Sequence, residues 1–179
     1  LAESAAPAEP FPSLDSAYVE AWFESVQTAP QGELTEHLRA YIEAKNCLWV
    51  YATPMCYRVK SQGERLGDSE KAMKDVLEQA GLGEYHVKEF YRLAQLWEVY
   101  FLDAENRRRA LALLPHLKKS FYAEAMSHDT PLDVLELAHE QAWTLAQLRC
   151  YVRGEEPTRK KLVLTLEGVA TEGPEASLQ

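Results

Sequence analysis

Apolar side chains recur at helical spacing along most of this chain. Tyr18, Val19, Trp22, Phe23 and Val26 fall at i, i+1, i+4, i+5 and i+8, one stripe of a first helix that Asp15 is placed to cap. After the break APQG (29–32), Leu34, Leu38, Tyr41, Ile42, Leu48 and Trp49 mark the face of a long helix or of two shorter ones over 34–63. Pro54 kinks or breaks it and Gly63 ends it. Asp68 or Ser69 caps the next helix, with Ala72, Met73, Val76, Leu77 and Ala80 as its apolar positions. Beyond the tight turn AGLG (80–83), Val87, Phe90, Tyr91, Ala94, Leu96, Trp97 and Phe101 are spaced for a long amphipathic helix.

The second half predicts shorter elements. Asp103 caps a helix over 105–114, and Pro115 ends it or opens the next. Leu117, Phe121, Ala125 and Met126 share one side of 116–127. Thr130-Pro131 reads as a cap followed by Pro in the first turn, and Thr144 caps a last helix that Gly154 stops. KLVLTLEG (161–168) alternates Leu162, Leu164 and Leu166 against Val163 and Thr165 and is a candidate single strand. A lone strand is unstable, so it pairs with another chain's copy or packs as an extended segment. The expected architecture is all-α. A tail occupies 1–14, a multi-helix domain 15–154 with a helix-turn-helix at 68–101, and a linker, the candidate strand and a tail 155–179.

VLEQAGLGEYHVKEFYRLAQLW (76–97) carries the main functional question. A DNA-reading helix-turn-helix needs a Gly in its turn, an apolar residue just after it, and a β-branched residue about five later that locks the second helix on the first. Gly81, Leu82 and Val87 fill those places, although Leu77 stands where Ala is commonest. An ordinary corner between two core helices has the same spacing. The exposed start of the second helix would enter the major groove, and it offers Tyr85, His86, Lys88 and Arg92. Arg92 suits guanine, and Tyr85 and Lys88 suit phosphate, against two opposing carboxylates, Glu84 and Glu89.

Charge changes that picture. The formal net charge is −9, which argues against a general nucleic-acid coat. Of 28 acids, seven fall in 1–36 and five in 155–179; of 19 bases, none falls in 1–36 and three, Arg159, Lys160 and Lys161, in 155–179. The middle therefore balances at 16 acids and 16 bases and can carry a basic face. Arg58, Lys60 and Arg65 precede the motif. Arg107, Arg108 and Arg109 stand near a helix start, where the helix dipole disfavours cations, so that run serves a partner or remains a solvated face. Lys118 and Lys119 follow, beside His116.

Little else suggests chemistry. There is no Gly-rich phosphate loop, no His-Glu-x-x-His and no Ser nucleophile elbow, and His128 and His139 stand alone. Cys47, Cys56 and Cys150 form no metal-binding spacing and read as buried thiols in a reducing cytoplasm. The expectation is a cytoplasmic non-enzyme with no cofactor and no metal. No run of about 18 apolar residues suggests a membrane span, and no secretory leader pattern is visible.

The order of helices over about 49–153 resembles the helix-turn-helix region of ParB/KorB-type plasmid and phage DNA-binding proteins. The matching stretches are Trp49, residues 76–97, LLPHLKKSFYAEAM (113–126) and EQAWTLAQLRCYVRG (140–154). The resemblance implies sequence-specific binding of double-stranded DNA by a homodimer, in plasmid partition or maintenance, replication control or transcription regulation. No Arg-rich nucleotide-binding box precedes residue 49, so CTP hydrolysis is not implied. The acidic first helix has no counterpart in that family. The rival expectation is a helical adaptor for other proteins, using the aromatic first helix. Trp22 and Phe23, with Leu162 and Leu164, are the candidate dimer or partner interface. Trp22 and Phe23 either dock on the body of the chain or join two chains.

Overall fold

The computed structural model describes residues 14–43, 48–81 and 86–157. The described residues are mostly helical, with no strand among them. Helix α1 (Ser16–Thr28) leads to α2 (Gln31–Glu43), and a 3₁₀ turn (Trp49–Ala52) runs into α3 (Thr53–Arg65). Then come α4 (Ser69–Gln79), α5 (Val87–Tyr100), α6 (Ala104–Leu113), α7 (Lys119–Ala125), α8 (Pro131–Glu140) and α9 (Leu145–Val152). Residues 1–13 and 158–179 lie outside the described residues, and with them the candidate strand 161–168 with Leu162 and Leu164; Leu14, expected in the tail, packs against the core.

Local chemistry accounts for most helix starts. The carboxylates of Asp15, Asp68 and Asp103 accept backbone N–H groups in the first turns of α1, α4 and α6. Thr144 and Gln147 form a reciprocal capping box on α9. Thr130 precedes Pro131 as expected, but its hydroxyl makes no cap bond; it lies 3.3 Å from His128 Nδ1. Pro54 neither kinks nor breaks a helix. It sits in the first turn of α3, where its missing N–H costs no helical bond.

Gly63 lies inside α3 rather than past its end. A Cβ on Gly63 would stand 2.5 Å from Ser69 Cα and 2.7 Å from Ala72 Cβ, so the glycine lets the start of α4 press against α3. Gly81 and Gly154 do end helices with positive φ, +88° and +78°.

Helix α3 packs across both α4 and α5, and α1 and α2 cover its flank. Helices α7, α8 and α9 form a second group, with α6 on α8. Trp97 is fully buried, with Phe23 and Phe101 at ring-centroid distances of 4.7 and 6.0 Å, and the two groups meet where Tyr122 of α7 packs on Trp49 and Tyr100 at 5.2 and 5.3 Å. Tyr100 Oη donates to Tyr122 O at 2.8 Å, and Tyr122 Oη donates to Ala110 O at 2.9 Å, tying α5, α7 and α6 together. Burial raises the pKa of both phenols, so they stay neutral donors.

The first helix docks within its own chain. Phe23 is fully buried. Trp22 is half-buried, donates Nε1–H to Tyr51 O at 3.0 Å and meets His37 and Tyr51 edge to face. The aromatic pair expected at an interface is thus consumed by the core, Phe23 wholly and Trp22 in large part. No described helix is long and apolar enough to cross a membrane.

Candidate nucleic-acid interface

Helix α5 has two unlike faces. Val87, Phe90, Leu93, Ala94, Trp97 and Tyr100 are buried, while Lys88, Glu89, Arg92 and Gln95 are exposed. Lys88, Arg92 and Gln95 fall at i, i+4 and i+7 and form one stripe. Lys88 and Arg92 have no hydrogen-bond or ion-pair partner among the described residues. Glu89 does have one: its carboxylate pairs with the ammonium of Lys119. That contact links the start of α7 to α5 through side chains and neutralises the one described acid that opposed a DNA role. Lys118, exposed at the N-cap position of α7, adds a further cation without a partner among the described residues.

His86 occupies the N-cap position of α5, exposed, with its ring edge-on to Phe90 at 6.3 Å. Tyr85, Leu82 and Glu84 lie outside the described residues. Gln95 was not among the expected site residues. Its signal was legible as the continuation of the Lys88–Arg92 spacing.

Most of the flanking basic residues are engaged internally, Arg65 and Lys118 excepted. Arg58 Nη1 donates to Val26 O and Ala29 O, each at 2.6 Å, and so satisfies carbonyls at the end of α1. Lys60 is 8 % exposed and donates to Glu98 Oε1 at 2.6 Å, beneath the Tyr91 ring. Burial pushes its ammonium down, but the Glu98 and Glu64 carboxylates outweigh that and hold its pKa raised. Arg65 is exposed and has no described partner.

All three arginines of the 107–109 run have internal partners. Arg107 Nε donates to Phe101 O at 2.7 Å, and its guanidinium lies 5.4 Å from the Trp97 ring centroid and 5.9 Å from that of Phe23. Arg108 pairs with Glu105 at 2.6 Å on the surface. Arg109 reaches Glu136 through Nε and Nη2 at 2.8 and 2.7 Å and Asp133 at 2.6 Å, bridging α6 to α8. The bond from Arg109 and its positive charge hold the Glu136 carboxyl below its usual range, against a smaller effect of burial. The cations near the dipole-disfavoured helix start are therefore accounted for by packing and ion pairing.

Cys56 is buried and Cys150 half-buried, both as free thiols; burial pushes the Cys56 thiol up, which makes it unreactive. No group of three metal-ligating side chains assembles among the described residues. Comparison with known proteins finds no matching family model, no matching curated protein and no matching solved structure.

Proposed function

We propose that the protein binds double-stranded DNA sequence-specifically, with α3, α4 and α5 as a helix-turn-helix unit and the N-terminal half of α5 in the major groove. The observation that carries this reading is the exposed stripe of Lys88 and Arg92, both without internal partners, while most other cations of the middle region are held by the fold. Arg92 and Gln95 supply side chains suited to guanine and adenine edges, and Lys88 and Lys118 are suited to phosphates. Because Lys119 neutralises Glu89, the described part of this face is net positive.

A homodimer in the cytoplasm acting in plasmid maintenance or transcription belongs to the same reading through the sequence resemblance. With Phe23 buried, its interface would have to be sought beyond α1, residues 161–168 included. The adaptor reading loses its main support for the same reason.

The test is fluorescence anisotropy with random duplex DNA across a salt series. Two phosphate contacts, from Lys88 and Lys118, predict a log–log slope of about −2, and Lys118→Ala should reduce it by about one. Lys88→Ala/Arg92→Ala should abolish salt-sensitive binding, and Arg108→Ala should leave it intact. Binding that survives the double substitution would move the site off α5. No binding at low salt would remove the DNA reading.

A further inference from the structure

A second cationic feature sits between α2 and α3. A groove of about 370 Å³ opens there, lined by Gln31, Tyr57, Arg58, Ser61, Gln62 and Arg65. Its two charged residues are both arginines. Other grooves of the surface carry acids: Asp68, Glu70, Asp75 and Glu78 along α4, Asp133, Glu136 and Glu140 beside α9, and Glu36 between α2 and α4. In a chain of formal charge −9, a concavity with cations and no carboxylate does not follow from bulk composition.

The donors in this groove differ in kind. Arg58 is immobilised because Nη1 already holds two carbonyls at the end of α1, which leaves its Nε and Nη2 outside those bonds. A guanidinium fixed in this way loses little entropy on taking a further acceptor. Arg65, Ser61, Gln62 and Gln31 have side chains with no hydrogen-bond partner among the described residues. Gln31 is the first residue of α2, so the positive end of that helix adds a field of the same sign. Two planar guanidinium forks with a hydroxyl and two amides around one concavity match the charge and acceptor count of a tetrahedral oxyanion.

We propose that this groove binds a phosphate-class oxyanion, carried either by a small phosphomonoester or by the backbone of a nucleic acid. The site is separate from the α5 stripe, and phosphate binding there stands or falls independently of the DNA reading.

The experiment is an NMR titration of the full chain with inorganic phosphate replacing chloride at constant ionic strength, following the Ser61 and Gln62 amides and Arg65 Nε–H. The expected result is saturable shifts at those positions in about the millimolar range, weakened about tenfold by Arg65→Gln. Arg153→Gln, which removes another exposed arginine, and Lys88→Ala/Arg92→Ala should leave the titration unchanged. Linear shifts without saturation, or equal weakening by Arg153→Gln, overturn the proposal. Duplex DNA added to the phosphate-loaded protein separates the two sources. Displacement of phosphate assigns the site to a nucleic-acid backbone, and unchanged shifts assign it to small phosphomonoesters.

Discussion

Arg107 shows how a charged residue becomes part of a core. Its guanidinium lies over Trp97 and Phe23 and donates to Phe101 O, so removing it loses both a charge-assisted hydrogen bond and the contacts over the rings. Arg107→Ala is expected to cost about 2 kcal/mol in urea denaturation. Arg108→Ala, which loses only an exposed pair with Glu105, should cost under about 0.5 kcal/mol. Similar costs for the two would remove the distinction between an arginine in the core and one on the surface. Glu136 makes a pH prediction. Its carboxyl titrates below the ordinary value of 4.5 because Arg109 holds its charged form. The stabilisation is therefore fully present above that ordinary value and lost as pH falls through the lower folded value. The Glu136 side chain is 39 % exposed, so screening limits the effect to under about 1 kcal/mol. Glu136→Gln should flatten the acid limb of a stability–pH curve below the ordinary value and leave its slope at neutral pH unchanged.

At the scale of elements, the corner between α3 and α4 depends on one missing side chain. Gly63→Ala would drive a Cβ into Ser69 Cα at 2.5 Å, and the obstacle is backbone that cannot swing aside. The α4 start must shift, at an expected cost of about 1–3 kcal/mol, which chemical denaturation measures. Helix propensity alone favours alanine inside a helix by about 1 kcal/mol, so a stabilised variant would show that α4 does not press on α3 in solution. Because α4 leads into α5, the same substitution is expected to weaken DNA binding without touching a cation.

At the scale of the whole molecule, charge is segregated. Residues 1–36 hold seven acids and no Lys or Arg, whereas the stripe on α5 is cationic. Glu3 and Glu9 in the first 13 residues would compete with DNA for that stripe at low salt. Leu14 packs against the core and Asp15 caps α1, so a deletion should stop at residue 13. Removing 1–13 is expected to tighten non-specific binding at low salt and leave it unchanged at high salt, read by the same anisotropy titration. Unchanged affinity at low salt would exclude the tail as a competitor.

Helix order, most helix ends and the apolar faces were legible in the sequence, because they depend on neighbours three or four residues away. Asp15, Asp68, Asp103 and Thr144 act as their local patterns dictate, and the stripe over 87–101 is buried almost as its spacing predicts. The candidate site was legible only in part. Sequence order placed Lys88 and Arg92 at the head of an amphipathic helix but ranked the 107–109 run and Arg58 and Lys60 beside them. Those cations find their partners far along the chain: Arg58 with Val26 32 residues away, Lys60 with Glu98 38 away, Arg109 with Glu136 27 away and Lys119 with Glu89 30 away. Helical periodicity is a property of the local backbone and can be read from spacing. Whether a charge is free to meet a partner depends on what the folded chain brings within about 4 Å of it, and only the tertiary structure decides that.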